Sequence, residues 1–180
     1  MQSHSVGYDK SYLLEFLEGI DPELKNKISL VAVGGTAMTL LNLKISTIDI
    51  DFTAPQFDRN EFERVMKTLE PGVKVDFYTD GLIYSQQLPK DYIQKSIPID
   101  FPKDYNIKNI ILKALNPIDI IITKVARLNT RDQEDIRECI KIYRPTKEEI
   151  RSRAQHVIEY YPANEEVYTI NLDNILSYFY

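Results

Sequence analysis

Apolar positions recur with two distinct periods along the chain, and their alternation sets out an order of elements. Tyr12, Leu13, Phe16, Leu17 and Ile20 fall at helical spacing, so the pattern predicts an amphipathic helix over Asp9–Gly19. Asp21-Pro22-Glu23 reads as an N-cap, a proline at the first helical position and an acidic first turn. Ile28–Val33 is a compact apolar run that ends in Gly34-Gly35, which fits a buried strand. Thr36–Leu43 then fits a buried helix starting directly after the glycines. Thr47–Phe52 alternates with period two and predicts a strand with Ile48, Ile50 and Phe52 in the core. Pro55–Asn60 reads as a loop, with Asp58 or Asn60 capping a helix that carries Phe62, Val65, Met66 and Leu69 on its apolar face.

Pro71-Gly72 and Asp80-Gly81 are turn signals on either side of an alternating strand, Val73–Tyr78. Ile97–Phe101 and Ile107–Leu115 predict further strands. After them the period changes. Asn116-Pro117 opens a helix that turns Ile118, Ile121, Ile122 and Val125 inward, and another starts near Thr130–Asp132. Thr146-Lys147-Glu148-Glu149 has the form of a capping box, and the chain is expected to be helical again from Asn171. Strands crowd the first two-thirds and helices the last third. The expectation is an α/β (α+β) core over residues 1–115 with a helical C-terminal subdomain over 116–180.

Composition narrows this picture little. A chain of 180 residues with 43% hydrophobic and 27% charged positions suits a soluble globular protein. A net charge of −5 speaks against a broad nucleic-acid surface. The single cysteine, Cys139, excludes an intrachain disulfide, fits a reducing compartment and reads as a buried residue. No signal-peptide core precedes Lys10, and the longest apolar runs are too short to span a bilayer, so a cytoplasmic protein with no membrane partner is expected. His4 and His156 lack metal-ligand spacing and read as surface residues.

Three features carry candidate chemistry. Gly34-Gly35-Thr36 joins a strand to a helix, where glycines allow close approach of a phosphate and the helix start offers N–H groups. The same tripeptide also fits a plain strand-to-helix turn. Asp49 and Asp51 lie two apart in a predicted strand and so project to one side. Paired carboxylates repel unless a positive charge compensates, and a divalent cation bound through oxygen is the natural one. A solvated strand with two acidic side chains is the alternative. Asp76, on the polar face of a later strand, would complete a carboxylate triad and would ligate metal or take a proton, with Asp100 as its rival.

Together, Gly34-Gly35-Thr36-Ala37, Leu43-Lys44, Ser46-Thr47 and Asp49-Ile50-Asp51-Phe52 resemble the opening of the DNA polymerase β-type nucleotidyltransferase superfamily. The resemblance is greatest to small prokaryotic members similar to AbiEii-type toxins. Ile118-Asp119-Ile120-Ile121, Lys124, Arg127-Leu128, Arg131-Asp132 and Asp135-Ile136 resemble the helical segment of those proteins. The resemblance implies a nucleotidyltransferase-type mixed sheet flanked by helices. It implies that Gly34, Gly35 and Thr36 bind the β- and γ-phosphates of an NTP, and that Asp49, Asp51 and Asp76 are catalytic and hold Mg²⁺ or Mn²⁺. Lys124 would reach the triphosphate, and Asp132, with Asp135, matches the last element, catalytic or helix-organising.

The implied activity is transfer of a nucleoside monophosphate from an NTP to a hydroxyl of a tRNA-like RNA or of a protein. A catalytically silent nucleotide- or protein-binding half of a toxin–antitoxin-type pair, with an antitoxin-like partner, is the alternative. A third reading is an RNA surface built from Lys141, Arg144, Lys147, Arg151 and Arg153, with Tyr143, Tyr160 and Tyr161 for stacking.

Overall fold

A computed structural model of the chain describes residues 7–69, 72–162 and 164–180. His4 and Pro71 of the expected Pro71-Gly72 turn lie outside them. The elements, in chain order, are β1 (Tyr8–Asp9), α1 (Lys10–Ile20), β2 (Ile28–Ala32), α2 (Gly34–Leu40), β3 (Ser46–Thr47) and β4 (Ile50–Ala54). Next come α3 (Gln56–Leu69), β5 (Val75–Thr79), β6 (Leu82–Ile83), β7 (Gln86–Gln87), α4 (Tyr92–Lys95), β8 (Ile97–Pro98) and β9 (Ile110–Ala114). Four helices end the chain: α5 (Pro117–Val125), α6 (Thr130–Tyr143), α7 (Lys147–Tyr160) and α8 (Glu165–Phe179). These elements form two compact units. The first is 1–80 with 97–114, and the second is 81–96 with 115–180.

The first unit is a mixed five-stranded sheet in the order β5-β4-β2-β9-β8, flanked by helices. β2 runs parallel to β9 and antiparallel to β4, and β4 runs parallel to β5. Buried Ile28, Leu30, Val31 and Ala32 make β2 a strand covered on both faces. Leu13, Leu14, Leu17 and Ile20 of α1 are buried, and its N-cap is Asp9, which accepts from Tyr12 N–H. Each such aliphatic side chain contributes about 1.5–3 kcal/mol of burial.

Three expectations are corrected here. Asp21-Pro22-Glu23 does form a short helix, a single 3-10 turn, but Asp21 lies inside it and does not cap it. It is buried, and its carboxylate accepts from the backbone N–H groups of Lys108, Asn109 and Ile110 at 2.9, 2.8 and 2.9 Å, which anchors the start of β9. The stretch from Gln56 is helix rather than loop, and Asp58 sits inside its first turn. The Asp58 carboxylate accepts from Ser29 N–H at 2.8 Å, which ties α3 to β2. The strand expected over Thr47–Phe52 is broken. β3 pairs with β1, residues 48 and 49 bend, and β4 begins at Ile50. Ile48 is therefore exposed, not part of the core.

Glu61, on α3, accepts from Lys25 N–H and from the Arg64 guanidinium. The Arg64 bonds first, then that of Lys25, pull its carboxyl from 4.5 down to about 2. The folded value is below the unfolded one, so this stabilisation is complete above about pH 4.5 and is lost as pH falls toward 2. The stability difference between wild type and Glu61→Gln, followed by thermal melts, should therefore narrow over that window. A constant difference would contradict the assignment.

The second unit is helical, with the short β6–β7 hairpin and α4 added to it. Asn116 caps α5 by accepting from Asp119 N–H, and Asn129 and Asp132 form a capping box at α6. Thr146 and Glu149 form the expected capping box at α7. α8 starts at Glu165, six residues before the expected helix. Ile120, Ile121, Ile122 and Val125 are fully buried because α5 packs against α6, α7 and α8. Cys139 is buried too. No helix of the described residues is long and apolar enough to cross a membrane.

Candidate active site

The carboxylates expected to act together lie on neighbouring strands of the first unit. Asp51 of β4 is the register partner of Asp76 of β5 in a parallel pair. Register partners on adjacent strands point to the same face, about 5 Å apart at the backbone. Asp100 follows β8 on the opposite edge of the sheet, three strand spacings from β4 or roughly 14 Å. Asp76, not Asp100, is thus the neighbour of Asp51. Asp51 is buried, Asp76 is half-exposed, and Asp49 is exposed on the bend before β4.

Two threonines hold that bend. Thr36 Oγ1 donates to the Asp49 carbonyl at 3.0 Å and accepts from Asp51 N–H at 2.9 Å. Thr47 Oγ1 donates to the same carbonyl at 2.9 Å. The Thr36 hydroxyl thus fixes the backbone of both acidic residues. Thr47 is a site residue that sequence reasoning missed. Its signal was Ser46-Thr47 directly before the acidic pair.

The glycines are the first two residues of α2 rather than a turn before it. Gly34 has φ +54°, a conformation that favours glycine. Gly35 has a different reason to lack a side chain. A Cβ there would lie 2.6 Å from Thr47 Oγ1, the oxygen bonded to Asp49. Gly35→Ala should therefore push Thr47 off the Asp49 bend and lose about 1–3 kcal/mol of stability. Thr47→Ala in the same chain should restore part of it. A double-mutant cycle by denaturant melts checks the coupling, and additive losses would refute it.

Lys74, two residues before Asp76, donates to Asp76 Oδ2 at 3.1 Å. That bond first, then the charges of Asp76, Asp49 and Asp51, raise the lysine above its ordinary range. All three carboxylates thus act on one ammonium. Among the described residues, no three acidic, histidine or cysteine side chains are already gathered closely enough to hold a metal ion. The donor set still fits one. It is all carboxylate oxygen, the chemistry of a hard divalent cation, and its combined field already draws in a positive charge.

Lys124, Asp132 and Asp135 lie in the second unit and form a cluster of their own. Lys124 is buried, with its ammonium 3.2 Å from Asp132 and 2.8 Å from Asp135. Arg127 grips Asp132 with two bonds of 2.8 Å. Burial raises the Asp132 carboxyl, but the Arg127 bonds and the Lys124 charge outweigh it and hold it below the usual carboxylate range. The ammonium that the resemblance assigned to a triphosphate is engaged here by carboxylates.

Sequence reasoning also missed what Arg153 does. It is not part of a solvated basic face. It is buried, forked onto Asp119 at 2.6 and 3.1 Å and bonded to Asp91 at 3.0 Å. His156 is exposed beside it.

The family model described as "Nucleotidyltransferase of unknown function (DUF6036)" matches residues 12–178. The chain belongs to that family. As a nucleotidyltransferase it is a transferase, and its fold is similar to that of the antibiotic-resistance factor ANT(2'')-Ia in solution. That likeness has 15% sequence identity and a TM-score of 0.56, and it covers 87% of this nucleotidyltransferase and 97% of the other chain. At this identity the likeness is one of fold. No curated protein matches the sequence.

Proposed function

We propose that this nucleotidyltransferase moves a nucleoside monophosphate from an NTP to a hydroxyl, with Asp49, Asp51 and Asp76 as its catalytic carboxylates. The register pairing of Asp51 with Asp76, with Asp49 held two residues upstream, carries this reading. Those three residues would hold Mg²⁺ or Mn²⁺, which would neutralise phosphate charge when bound. Gly34 and Gly35 offer backbone N–H groups beside β4 for the phosphates. Asp76, on the edge strand, takes the proton of the acceptor hydroxyl. The hydroxyl oxygen bonds to the α-phosphorus, the bond from that phosphorus to the bridging oxygen breaks, and pyrophosphate leaves. Thr36 and Thr47 contribute by keeping Asp49 and Asp51 in place, so that little reorganisation is needed at the moment of reaction.

The acceptor is a hydroxyl of a tRNA-like RNA or of a protein, in a toxin-like role similar to the AbiEii type. Of the basic run expected to serve RNA, Arg153 is buried, while Lys141, Arg144 and Arg151 stay at the surface. The test is calorimetry with each NTP, with and without Mg²⁺, on wild type and Asp49→Ala/Asp51→Ala. Mg²⁺-dependent binding lost in the double variant supports the site. No NTP binding to wild type would leave a silent module.

Lys74 gives a finer test. Its ion pair with Asp76 is exposed, so Lys74→Met should move Tm by no more than about a degree or two. It should also shift the Mg²⁺ titration of NTP binding to lower concentration, because the cation competing for Asp76 is gone. An unchanged titration would mean that Lys74 does not compete.

A further inference from the structure

The two edges of the mixed sheet are built differently. β8 closes one side with two residues, one of them Pro98, so that edge is short and lacks a donor. β5 closes the other side with five residues, Val75–Thr79, and no proline. No further described strand lies against it. Asp80 N–H donates to the Ala54 carbonyl of β4, which sets the phase of β5. By alternation, the backbone groups of Asp76 and Tyr78 face β4, and those of Val75, Phe77 and Thr79 face outward.

The side chains of this edge divide by face. Val73, Val75 and Phe77 are half-buried and wall an open apolar groove of about 150 Å³ with Phe62 and Met66 of α3. Lys74 and Asp76 share the other face and pair at 3.1 Å. A lysine alone on an edge blocks pairing by its charge. Here an acid two positions on gives the edge both signs.

An edge that carries both signs can serve as its own partner. Opposite residues of an antiparallel pair point to one face. Two β5 strands related by a two-fold axis therefore match apolar to apolar only if the axis passes through a residue. An axis at Asp76 sets two carboxylates against each other. An axis at Phe77 brings in Asp80, where the chain leaves the strand at φ +50°. An axis at Val75 meets neither obstacle. It sets Val75 opposite its own copy, Val73 opposite the partner's Phe77, and Lys74 opposite the partner's Asp76 at both ends. The outward groups of the two Val75 residues exchange both backbone bonds. The lysine–aspartate pairs fall at the positions between such bonds, where opposite side chains are closest.

We propose that two copies of this chain join edge to edge through antiparallel β5 strands, with the two-fold axis at Val75. The dimer covers both open edges at once. This inference stands apart from the proposed transfer reaction and does not depend on it.

Analytical ultracentrifugation of the full chain over a concentration series should show a monomer–dimer equilibrium. Lys74→Glu sets acid against acid across the axis, and Asp76→Lys sets cation against cation. Each alone should weaken the dimer by about tenfold or more, and an equimolar mixture of the two should restore it, because every opposite pair is again of unlike charge. Val75→Cys is the test if either charge variant fails to fold. Residues opposite each other in a hydrogen-bonded pair lie about 5.5 Å apart at Cα, inside the disulfide range of roughly 4.4–6.8 Å. Mild oxidation should therefore crosslink Val75→Cys and leave Thr79→Cys, far from the axis, uncrosslinked; Cys139 is buried and does not compete. A chain monomeric at every concentration, a dimer indifferent to both charge reversals, or a mixture no tighter than its components would overturn the proposal.

Discussion

Asp76→Asn should weaken Mg²⁺-dependent NTP binding by about tenfold or less, because Asp49 and Asp51 still hold the cation, while lowering turnover by about 10²–10⁴, the range associated with a positioned proton acceptor. Asparagine keeps the shape and a carbonyl oxygen, so β5 keeps its pairing with β4. What disappears is the ability to take a proton, together with one of the three carboxylate charges facing the metal. Asp51→Asn should behave differently. Asp51 is buried and central, its backbone is tied to Thr36, and its charge helps to create the field felt by Lys74. Its loss should remove Mg²⁺-dependent NTP binding and turnover together. Pyrophosphate release under single-turnover conditions, set beside calorimetric binding, separates the two. Equal defects in binding and turnover for both variants would mean that Asp76 is only a charge in the cluster, with no separate role in proton transfer.

Arg153→Ala should be the most damaging single change to stability, at about 3–5 kcal/mol, because it leaves the fully buried Asp119 carboxyl without its cation, with only Asn116 Nδ2 still donating to its side chain. Replacing Arg153 and Asp119 together by apolar residues of similar size should cost far less than the single change, since the uncompensated charge goes as well. Denaturant melts of the single and double variants decide it. If Arg153→Ala lost less than about 1 kcal/mol, the value of an exposed pair, the guanidinium would not be bearing on the packing of α5 and α7.

The sequence showed Asp51 and Asp76 because both sit in strands whose alternation is intact, and alternation fixes which side chains share a face. Asp49 was harder. Its spacing from Asp51 suggested one continuous strand, but the chain breaks between β3 and β4, and hydroxyls from Thr36 and Thr47 pin the break. A bend stabilised by side chains from elsewhere leaves no periodic trace. Asp21-Pro22 has the local form of a helix cap, yet its carboxylate serves N–H groups 87 to 89 positions later. Lys124 and Arg153 look like ordinary helix cations in the sequence. Their burial depends on Asp132, Asp135, Asp91 and Asp119, which only the packing of several helices brings to them. Long-range charge pairing is the part of this protein that local pattern does not carry.

The place of β9 in the sheet has a consequence for biosynthesis. β9 lies between β2 and β8, yet it is made about eighty residues after β2. As the chain leaves the ribosome, β2 can pair with β4 and β4 with β5, but the far side of β2 stays an open edge until Ala114 has emerged. Gly81–Ser96 has by then been extruded too, and it must wait still longer for the helices it belongs with. The nascent chain thus spends much of its synthesis with one edge of a strongly apolar strand open, the state in which strands pair with the wrong neighbour. Stalling translation before residue 110 should give an aggregation-prone intermediate, and stalling after the exit of β9 a sheet that is already closed.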